Sequence, residues 1–251
     1  MTENTFFDDW TNRKVDFHRG PGSMWTLEKL YGEKNSQVDD ERFYEYRCIG
    51  GAYGTFLCHN VMDSTYRGVM KIFMQSLVPY DGSQRAPAEH RKAQAQSIPV
   101  DDFNIDSQLN ALSTLTTKHC ESSPIILDIE FSTQLATDPV PGGYIYFVLT
   151  NYLPGIKLSK IIFWILKTSE SEQIRQAFNL AWKDCVNPGI VPRLQEIEHV
   201  LWDAAAKNAM SESAAESDEW RDAEWIVWGR AKTQNNRICL EDPNKHPDMS
   251  M

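Results

Sequence analysis

Residues able to do chemistry are dispersed along this chain, and few of them have the spacing that a known type of site requires. Cysteine occurs five times, at Cys48, Cys58, Cys120, Cys185 and Cys239. No two of them form a Cys-x-x-Cys pair, the spacing typical of zinc sites and redox motifs, and their number is odd. We therefore expect reduced, mostly structural thiols and no metal site. No Ser/His/Asp or Cys/His arrangement with recognisable spacing supports hydrolase chemistry.

Carboxylates and a histidine are concentrated in two later segments. Residues 189–203 read GIVPRLQEIEHVLWD and contain Glu196, Glu198, His199 and Asp203. A histidine in such a setting is more often a core or surface residue than a ligand. Residues 212–224 read ESAAESDEWRDAE, with six carboxylates and one arginine. A run of this kind is usually a solvated face; the alternatives are a cation site or a dock for a basic partner.

The overall charge narrows the classes of partner. The chain of 251 residues carries 35 acidic and 25 basic residues, for a formal net charge of −10. Binding to nucleic acid or to an anionic membrane needs a basic surface, so we expect neither. The longest apolar run, Ile161–Leu166, is too short to span a bilayer. The acidic start MTENTFFDDW lacks the core of a signal peptide, so a cytoplasmic or nuclear location is expected.

The elements that must position these residues are predicted as a β-rich part followed by a helical part. A glycine-rich turn, GGAYG at 50–54, separates two β-prone runs, and YRGVMKIFMQ at 66–75 is a further strand. Helical spacing predicts a helix over 104–118, and PIILDIEFSTQ with GGYIYFVLTNYL predicts a hairpin. After Pro154-Gly155, helices are predicted in LSKIIFWILK, EQIRQAFNLAWKDC and EWRDAEWIVWGRAK. In the polar residues 1–37 only Phe6, Phe7, Trp10 and Trp25 are expected to dock on the body.

This order of elements resembles the protein-kinase-like fold. RGVMKIFMQ is similar to the strand with the phosphate-binding lysine, YFVLTNYLPGIKL to the hinge, and GIVPRLQEIEHVLWD to the catalytic loop. Together with WRDAEWIVWG, these strings resemble a set of kinase-like proteins common in filamentous fungi. The resemblance covers roughly residues 44–232. It implies an α+β, two-lobed kinase-like fold, with a small antiparallel β-rich N-lobe containing one helix and a mostly α-helical, shortened C-lobe. The implied domains are an extension (1–37), an N-lobe (38–153), a C-lobe (154–232) and a flexible tail (233–251).

The same resemblance implies a nucleotide site, with ATP as the candidate ligand. Its residues would be Lys71 for the phosphates, the turn containing Gly50, Gly51 and Gly54, and the hinge from Leu149 to Tyr152. The plainer alternatives are a strand lysine whose amine reaches water, and glycines needed only for a tight hairpin.

Transfer of a phosphoryl group requires further charges that this chain lacks at the corresponding positions. The helix position of the glutamate that would hold Lys71 falls near Gln108. The catalytic loop is degenerate: its register gives Pro192, Arg193, Leu194 and His199. Leucine cannot accept a proton, and imidazole is a poor ligand for magnesium, which prefers oxygen. Arg193 is left with a structural role, paired with an acidic group. No Asp-Phe-Gly follows, and NAMSESAAESDEW is predicted to lack the strand that should precede it, either through a deletion or through an error in the gene sequence.

The sequence therefore predicts a pseudokinase-like binding or regulatory module, with no catalytic residues and no metal. Any nucleotide binding would be independent of magnesium, and a protein partner of unknown identity is expected. One alternative is a divergent phosphotransferase on a small molecule or protein, with Glu196, Glu198 or Asp203 replacing the missing base. Another is a scaffold that binds a partner through the N-lobe or residues 212–224 and has no ligand. Kinase-like folds host several functions, so the fold alone cannot choose among these.

Overall fold

The structure is a computed structural model. It describes residues 5–18, 22–36, 50–76, 88–95, 105–159, 165–191, 200–206, 208–211, 215–216, 232–234 and 237–239. The chain divides into two compact units. The first comprises Met1–Asp106 and Ile126–Tyr152, and the second comprises Ser107–Ile125 and Leu153–Met251. No helix among the described residues combines the length and the apolarity that crossing a membrane requires.

The first unit is built on a six-stranded antiparallel sheet. Its strands are β1 (Lys14–Phe17), β2 (Ser23–Ser36), β3 (Gly51–Asn60), β4 (Arg67–Gln75), β5 (Ile126–Thr133) and β6 (Tyr144–Asn151). Their spatial order is β1-β2-β3-β4-β6-β5, so β6 inserts between β4 and β5. A short helix, α1 (Ala88–Ala93), also belongs to this unit. The predicted strand at 66–75 and the predicted hairpin, now β5 and β6, are both confirmed.

One face of this sheet holds the core of the first unit. The alternate residues Met70, Ile72 and Met74 of β4 are all fully buried on that face, as the two-residue period of a strand requires. They belong to a cluster with side chains from β2, β3, β6 and the N-terminal segment: Phe7, Trp10, Val15, Phe17, Trp25, Leu27, Ala52, Phe56, Cys58, Ile145 and Leu149. Burying one side chain as large as phenylalanine contributes about 1.5–3 kcal/mol. The N-terminal aromatic residues are therefore part of the core, as their predicted docking implied.

The N-terminal region is more deeply integrated than the sequence suggested. Residues 1–37 were expected to be an extension in front of the N-lobe, whereas β1 and β2 form two of the six strands. The predicted boundary at residue 38 falls in the connection between β2 and β3, two paired strands. The sequence of this region is polar, and it shows no clear strand pattern. Strand β2 has two register shifts, at Leu27/Lys29 and Leu30/Gly32, which break the alternation of apolar and polar residues expected of a strand.

The second unit combines two helices with short strands. The helices are α2 (Ile105–Thr117), whose first two residues belong to the first unit, and α3 (Thr168–Val186). The strands are β7 (Ile156–Lys157), β8 (Ile190–Val191), β9 (Val200–Asp203), β10 (Asn208–Ser211), β11 (Ala215–Glu216), β12 (Lys232–Gln234) and β13 (Arg237–Cys239). They form the sheets β10-β9-β7, β11-β8 and β12-β13. The predicted helices at 104–118 and 172–185 are confirmed. Of the helices predicted over 158–167 and 219–232, residues 160–164 and 219–231 lie outside the described residues, and Lys232 begins β12. A mostly helical C-lobe is therefore not confirmed.

The expected absence of a strand after the catalytic-loop segment is wrong. Asn208–Ser211 forms β10, which pairs antiparallel with β9 in the register Asn208↔Asp203 to Ser211↔Val200. Its sequence, NAMS, has no β-branched or aromatic residue and shows no strand signal by itself. Pairing with the neighbouring strand VLWD supplies what local propensity lacks, since strand preference depends strongly on context. A deletion or an error in the gene sequence is no longer needed to explain this region.

Candidate functional site

Lys71 lies near the middle of β4, on the face of the sheet opposite the core. Its neighbours across the strands are Thr55 of β3 and Val148 of β6. Directly opposed residues in an antiparallel pair share a face, and every second residue of a strand returns to it. We call this surface the Lys71 face. It comprises Tyr53, Thr55 and Leu57 of β3, Val69, Lys71 and Phe73 of β4, and Tyr146, Val148 and Thr150 of β6.

The Lys71 face is arranged in three rows across the strands. Leu57, Val69 and Thr150 form the first row, and Lys71 stands in the second, about 7 Å further along β4. The third row is aromatic: Tyr53, Phe73 and Tyr146, with the rings of Tyr53 and Phe73 5.0 Å apart between centroids. An apolar row thus lies directly beside a single ammonium group.

The side chain of Lys71 is partly buried and has no described counter-ion. Among the described residues, no carboxylate forms an ion pair with its ammonium group. A lysine in such a strand can pack its methylene stem on the sheet and leave its amine available to an anion. The sequence prediction of an anion-facing lysine and the plainer reading of a strand lysine both agree with this geometry.

The hinge prediction is changed by the strand register. Leu149 pairs with Met70 and is 1% exposed within the core, so its side chain lies on the face opposite to Lys71. Thr150 instead shares the Lys71 face, and its hydroxyl group donates a hydrogen bond of 3.3 Å to the carbonyl oxygen of Val69. Tyr152 follows the last residue of β6 and is 39% exposed. Of the predicted hinge, the structure brings Thr150 rather than Leu149 beside Lys71.

The glycine-rich turn predicted at 50–54 is also wrong. Gly51 begins β3 and Gly54 lies inside it, opposite Ile72 and therefore on the core face. A Cβ atom on Gly54 would lie 3.0–3.1 Å from ring carbons of Phe7. The glycine is there because an aromatic ring packs directly on the backbone, a use of strand glycine that a sequence cannot distinguish from a turn. Gly50 precedes the strand, and its carbonyl oxygen accepts the N–H of Ser76 at 2.9 Å.

Sequence reasoning missed a polar cluster at one end of the same face. His59 Nδ1 lies 2.9 Å from Glu28 Oε1, and Arg67 Nη2 lies 3.7 Å from Glu28 Oε2. His59 and Arg67 are directly opposed on β3 and β4, and Arg67 is four residues before Lys71. Burial raises the pKa of the nearby Tyr31, and the charge of Tyr152 raises it further. The signal in the sequence was the even spacing of Arg67, Val69 and Lys71, which places all three on one face.

Most of the degenerate catalytic loop lies between the described strands β8 and β9. Pro192, Arg193, Leu194 and His199 lie outside the described residues, as do Glu196 and Glu198. The strands that flank them are in place: β8 pairs with β11, and β9 pairs with β10. Gln108 lies on α2, in the second unit.

Asp203, one proposed substitute for the missing base, is the last residue of β9 and stabilises the turn that follows. Its Oδ1 accepts the backbone N–H groups of Ala205 and Ala206, at 2.9 and 3.1 Å. These bonds hold the turn between β9 and β10. In the part of the chain that the structure describes, no three His, Cys, Asp or Glu side chains cluster closely enough to hold a metal ion.

Comparison with known proteins adds a distant structural likeness. No protein-family model matches this chain, and no curated protein does. Among solved structures, the kinase PK-1 of Cydia pomonella granulovirus is similar to it, with a TM-score of 0.41 and 11% sequence identity. The match covers 76% of this chain and 52% of the viral kinase, so the chain spans about half the length of that protein. A likeness at this TM-score does not establish a fold or an activity.

Proposed function

We propose that this chain is a non-catalytic, kinase-like protein that binds a nucleotide on the Lys71 face without magnesium and serves as a binding or regulatory module. The observation that supports it is the position of Lys71 beside the row of Leu57, Val69 and Thr150, with no ion pair to a described carboxylate. Val69 is the partly exposed member of that row, whereas Leu57 and Thr150 are buried, so an amphiphilic anion would place its flat apolar part against Val69 and its negative charge at the ammonium group.

The chemistry of the ligand follows from the size and charge of this arrangement. A purine ring is flat and largely apolar on its faces, and it can stack on an aliphatic side chain such as that of Val69, which is partly exposed. The lysine ammonium is a compact point charge suited to phosphate. Arg67 on the same face is already paired with Glu28, which leaves Lys71 as the main cation for a triphosphate. The affinity should therefore be modest, and removal of the Lys71 charge should abolish most of it.

The proposal of a non-catalytic role rests on the sequence. The loop position of the proton acceptor is Leu194, and the position of the metal-binding amide is His199. Loss of one well-placed electrostatic group lowers an enzymatic rate by roughly 100- to 1000-fold. The hydrogen bonds of Asp203 with Ala205 and Ala206 give that carboxylate a different task.

A thermal-shift measurement with ATP tests this proposal, in magnesium and in EDTA. At 100 times the dissociation constant, binding stabilises the folded state by about 2.7 kcal/mol. In a protein of this size each kcal/mol corresponds to about 2–4 °C, so the expected shift is about 5–10 °C and survives EDTA. Lys71→Met keeps the aliphatic stem and should abolish the shift.

The matched control is Lys14→Met. Lys14 is an exposed strand lysine in β1 of the same sheet, and its replacement removes one charge without touching the Lys71 face. We expect it to keep the full shift. Equal shifts in wild type, Lys71→Met and Lys14→Met would refute the assignment of the site. The absence of any shift in the wild type would favour a scaffold without a ligand.

A divergent phosphotransferase is the second candidate, and the observed strand β10 favours it. Because β10 ends at Ser211, the next residue in the sequence is Glu212, a carboxylate near the place where the resemblance expects a metal-binding aspartate. Carboxylate oxygen is a ligand that magnesium prefers. This candidate requires magnesium-dependent release of phosphate from ATP that Glu212→Gln abolishes. Serine at the neighbouring position provides the control, Ser213→Ala. Turnover absent from the wild type would remove this candidate.

A further inference from the structure

Two cysteines of the second unit are in contact. Cys120 Sγ and Cys185 Sγ lie 3.7 Å apart, although 65 positions separate the two residues in sequence. Both residues are buried, at 3% and 2% exposed, in a small cluster completed by Ala111, Leu115 and Ile190. The two cysteines have no Cys-x-x-Cys spacing, so no sequence pattern predicts their contact.

Cys120 is held in place by the C-terminal cap of α2. The N–H of Cys120 donates to the carbonyl oxygen of Leu115 at 2.9 Å, and the N–H of His119 donates to that of Thr116 at 3.1 Å. With His119 at φ 55°, this is a Schellman motif. Histidine is one of the few residues other than glycine that adopt left-handed backbone with some frequency. The two hydrogen bonds of the motif hold His119 and the cysteine that follows.

Cys185 and its neighbour Asp184 approach from the last turn of α3. Cys185 belongs to the buried face of that helix, with Phe178, Ala181 and Trp182. Asp184 Oδ2 accepts the S–H of Cys120 at 3.2 Å and the backbone N–H of Ser122 at 3.1 Å. Through these two hydrogen bonds, Asp184 fixes the loop after α2 to the end of α3, next to the sulfur pair.

The electrostatics of the pair favour ionisation of one thiol. The hydrogen bond with Cys185 lowers the pKa of Cys120, with burial and Asp184 acting against it. The same hydrogen bond, together with burial, raises the pKa of Cys185. The hydrogen bond between the two sulfurs thus stabilises a single thiolate in the pair, and we place that thiolate on Cys120.

We propose that Cys120 and Cys185 are a modification site for hydrogen peroxide, which converts them to a reversible intramolecular disulfide. The Cys120 thiolate attacks one peroxide oxygen, the O–O bond breaks, and the leaving hydroxide takes up a proton to become water. The resulting sulfenic acid is attacked by the sulfur of Cys185. An S–S bond forms, the S–O bond breaks, and the departing hydroxide leaves as water with the proton of Cys185. Two thiols are oxidised by two electrons, and one peroxide is reduced to two waters.

The geometry needs little change for this bond. A disulfide has an S–S distance of about 2.05 Å, so each sulfur would move by about 0.8 Å toward the other. Because both sulfurs are buried, the oxidant must be small and uncharged, which fits hydrogen peroxide better than a disulfide such as oxidised glutathione.

A disulfide between Cys120 and Cys185 would also close a covalent loop that contains Ile126–Tyr152, a segment of the first unit. The chain leaves the second unit after Ile125 and returns at Leu153. Both crossings lie between Cys120 and Cys185. Oxidation would link the chain on either side of the segment that carries β5 and β6.

Peptide mapping of the wild-type protein tests the proposal without any variant. The protein is treated with hydrogen peroxide at pH 8, its remaining thiols are alkylated under denaturing conditions, and it is digested and analysed by mass spectrometry. The expected product is a cross-linked peptide pair containing Cys120 and Cys185, lighter by two hydrogen atoms than its components and separated by dithiothreitol. Alkylated Cys120 and Cys185 after this treatment would overturn the proposal.

Cys58 serves as an internal control, because it is a buried thiol outside the Cys120–Cys185 pair. It is fully buried, burial raises its pKa to about 12, and it belongs to a different core cluster from Cys120 and Cys185. At pH 8 a thiol with that pKa is ionised to about one part in 10⁴, so Cys58 should react at least about 100-fold more slowly than Cys120. Comparable rates for the two would show that the pair has no special reactivity.

Two variants separate the steps. Cys185→Ser should leave the sulfenic acid of Cys120 without a partner, so that dimedone traps it. Cys58→Ser should form the cross-link as the wild type does. A sulfenic acid trapped on Cys120 in the wild type but no cross-link would refute the role of Cys185.

Discussion

The contact between Gly54 and Phe7 allows the structural account of the glycines to be tested against the phosphate-binding one. Replacement of Gly54 by alanine adds a single methyl group on the core face of β3. Its carbon would lie 3.0–3.1 Å from three ring carbons of Phe7. Nonbonded carbon atoms are most stable at about 3.5–4.0 Å, so ring and strand must separate by about 0.5 Å or more.

Phe7 cannot yield easily, and this sets the magnitude. Its ring is 1% exposed and packs edge-on against Trp10 and Phe56, with centroids 5.2 and 6.0 Å away. The backbone N–H groups of Phe6 and Phe7 are bound by the carboxylate of Glu33, at 2.7 and 3.3 Å. Overpacking of such a site costs about 1–3 kcal/mol. Alanine restrains the unfolded chain and recovers about 0.4–1 kcal/mol, so we expect a net loss of about 1–2 kcal/mol.

Urea denaturation followed by tryptophan fluorescence measures this loss as a lower midpoint at unchanged slope. Gly32→Ala is the matched control, because no atom lies within 4 Å of the Cβ position there. It should change stability by less than about 0.5 kcal/mol or increase it slightly. In a Phe7→Leu background, where the ring is removed, Gly54→Ala should cost less than about 0.5 kcal/mol, a coupling of about 1 kcal/mol between the two sites.

One pattern of results would refute this reasoning. If Gly54→Ala left stability unchanged and independent of residue 7, yet removed the ATP-dependent thermal shift, the glycine would serve a ligand rather than Phe7. The sequence interpretation of a phosphate-cradling turn would then be preferred over the strand packing.

Three further predictions concern polar groups. Burial raises the pKa of Glu33, against the opposing hydrogen bonds from Phe6 and Phe7. Between its unfolded pKa of 4.5 and its higher folded pKa, the folded state therefore binds more protons than the unfolded state, and stability falls as the pH rises through this range. Melting temperatures measured from pH 4 to 8 should show this fall in the wild type and a smaller fall in Glu33→Gln. The amide of Gln134 donates to the carbonyl oxygens of Gln75 and Tyr144 and accepts from the N–H of Val140, at 2.9, 3.2 and 2.9 Å. Gln134→Ala should cost about 2–4 kcal/mol in urea denaturation, because buried backbone groups lose partners, whereas Leu135→Ala, at a residue 67% exposed, should cost under about 0.5 kcal/mol. Asp203→Ala should destabilise by about 1 kcal/mol and Asp203→Asn by less, with no effect on an ATP-dependent thermal shift; loss of that shift in both would give Asp203 a role at the ligand.

The elements with a strong internal period were predictable from the sequence. Helix α3 repeats Ile174, Phe178, Ala181 and Cys185 on one buried face, and the hairpin of β5 and β6 has two apolar runs around a Pro/Gly turn. In these segments the local pattern and the tertiary environment favour the same structure. The position of Lys71 on a strand was predictable for the same reason.

The errors arose where a long-range contact determines the local structure. Position 54 is a glycine because the ring of Phe7, 47 positions away, packs on it, and its strand forms by pairing with β2 and β4. Strand β10 exists because β9 pairs with it. Leu149 was assigned to the ligand site although its parity along β6 places it in the core with Met70. Only the register between strands, which no local pattern in the sequence gives, identifies Thr150 as a neighbour of Lys71.

The irregular strand β2 has a consequence for the behaviour of the protein in solution. Its two bulges increase the local twist, and the N–H of His18, just after β1, reaches Glu130 Oε2 of β5 at 3.2 Å. One hydrogen bond thus connects the ends of the two outermost strands, and β1 pairs with the edge of β2, on which a second chain could otherwise add a strand. Removal of the first 22 residues would uncover the edge of β2 together with Trp25. We expect a chain shortened in this way to aggregate rather than to behave as a trimmed version of the same protein.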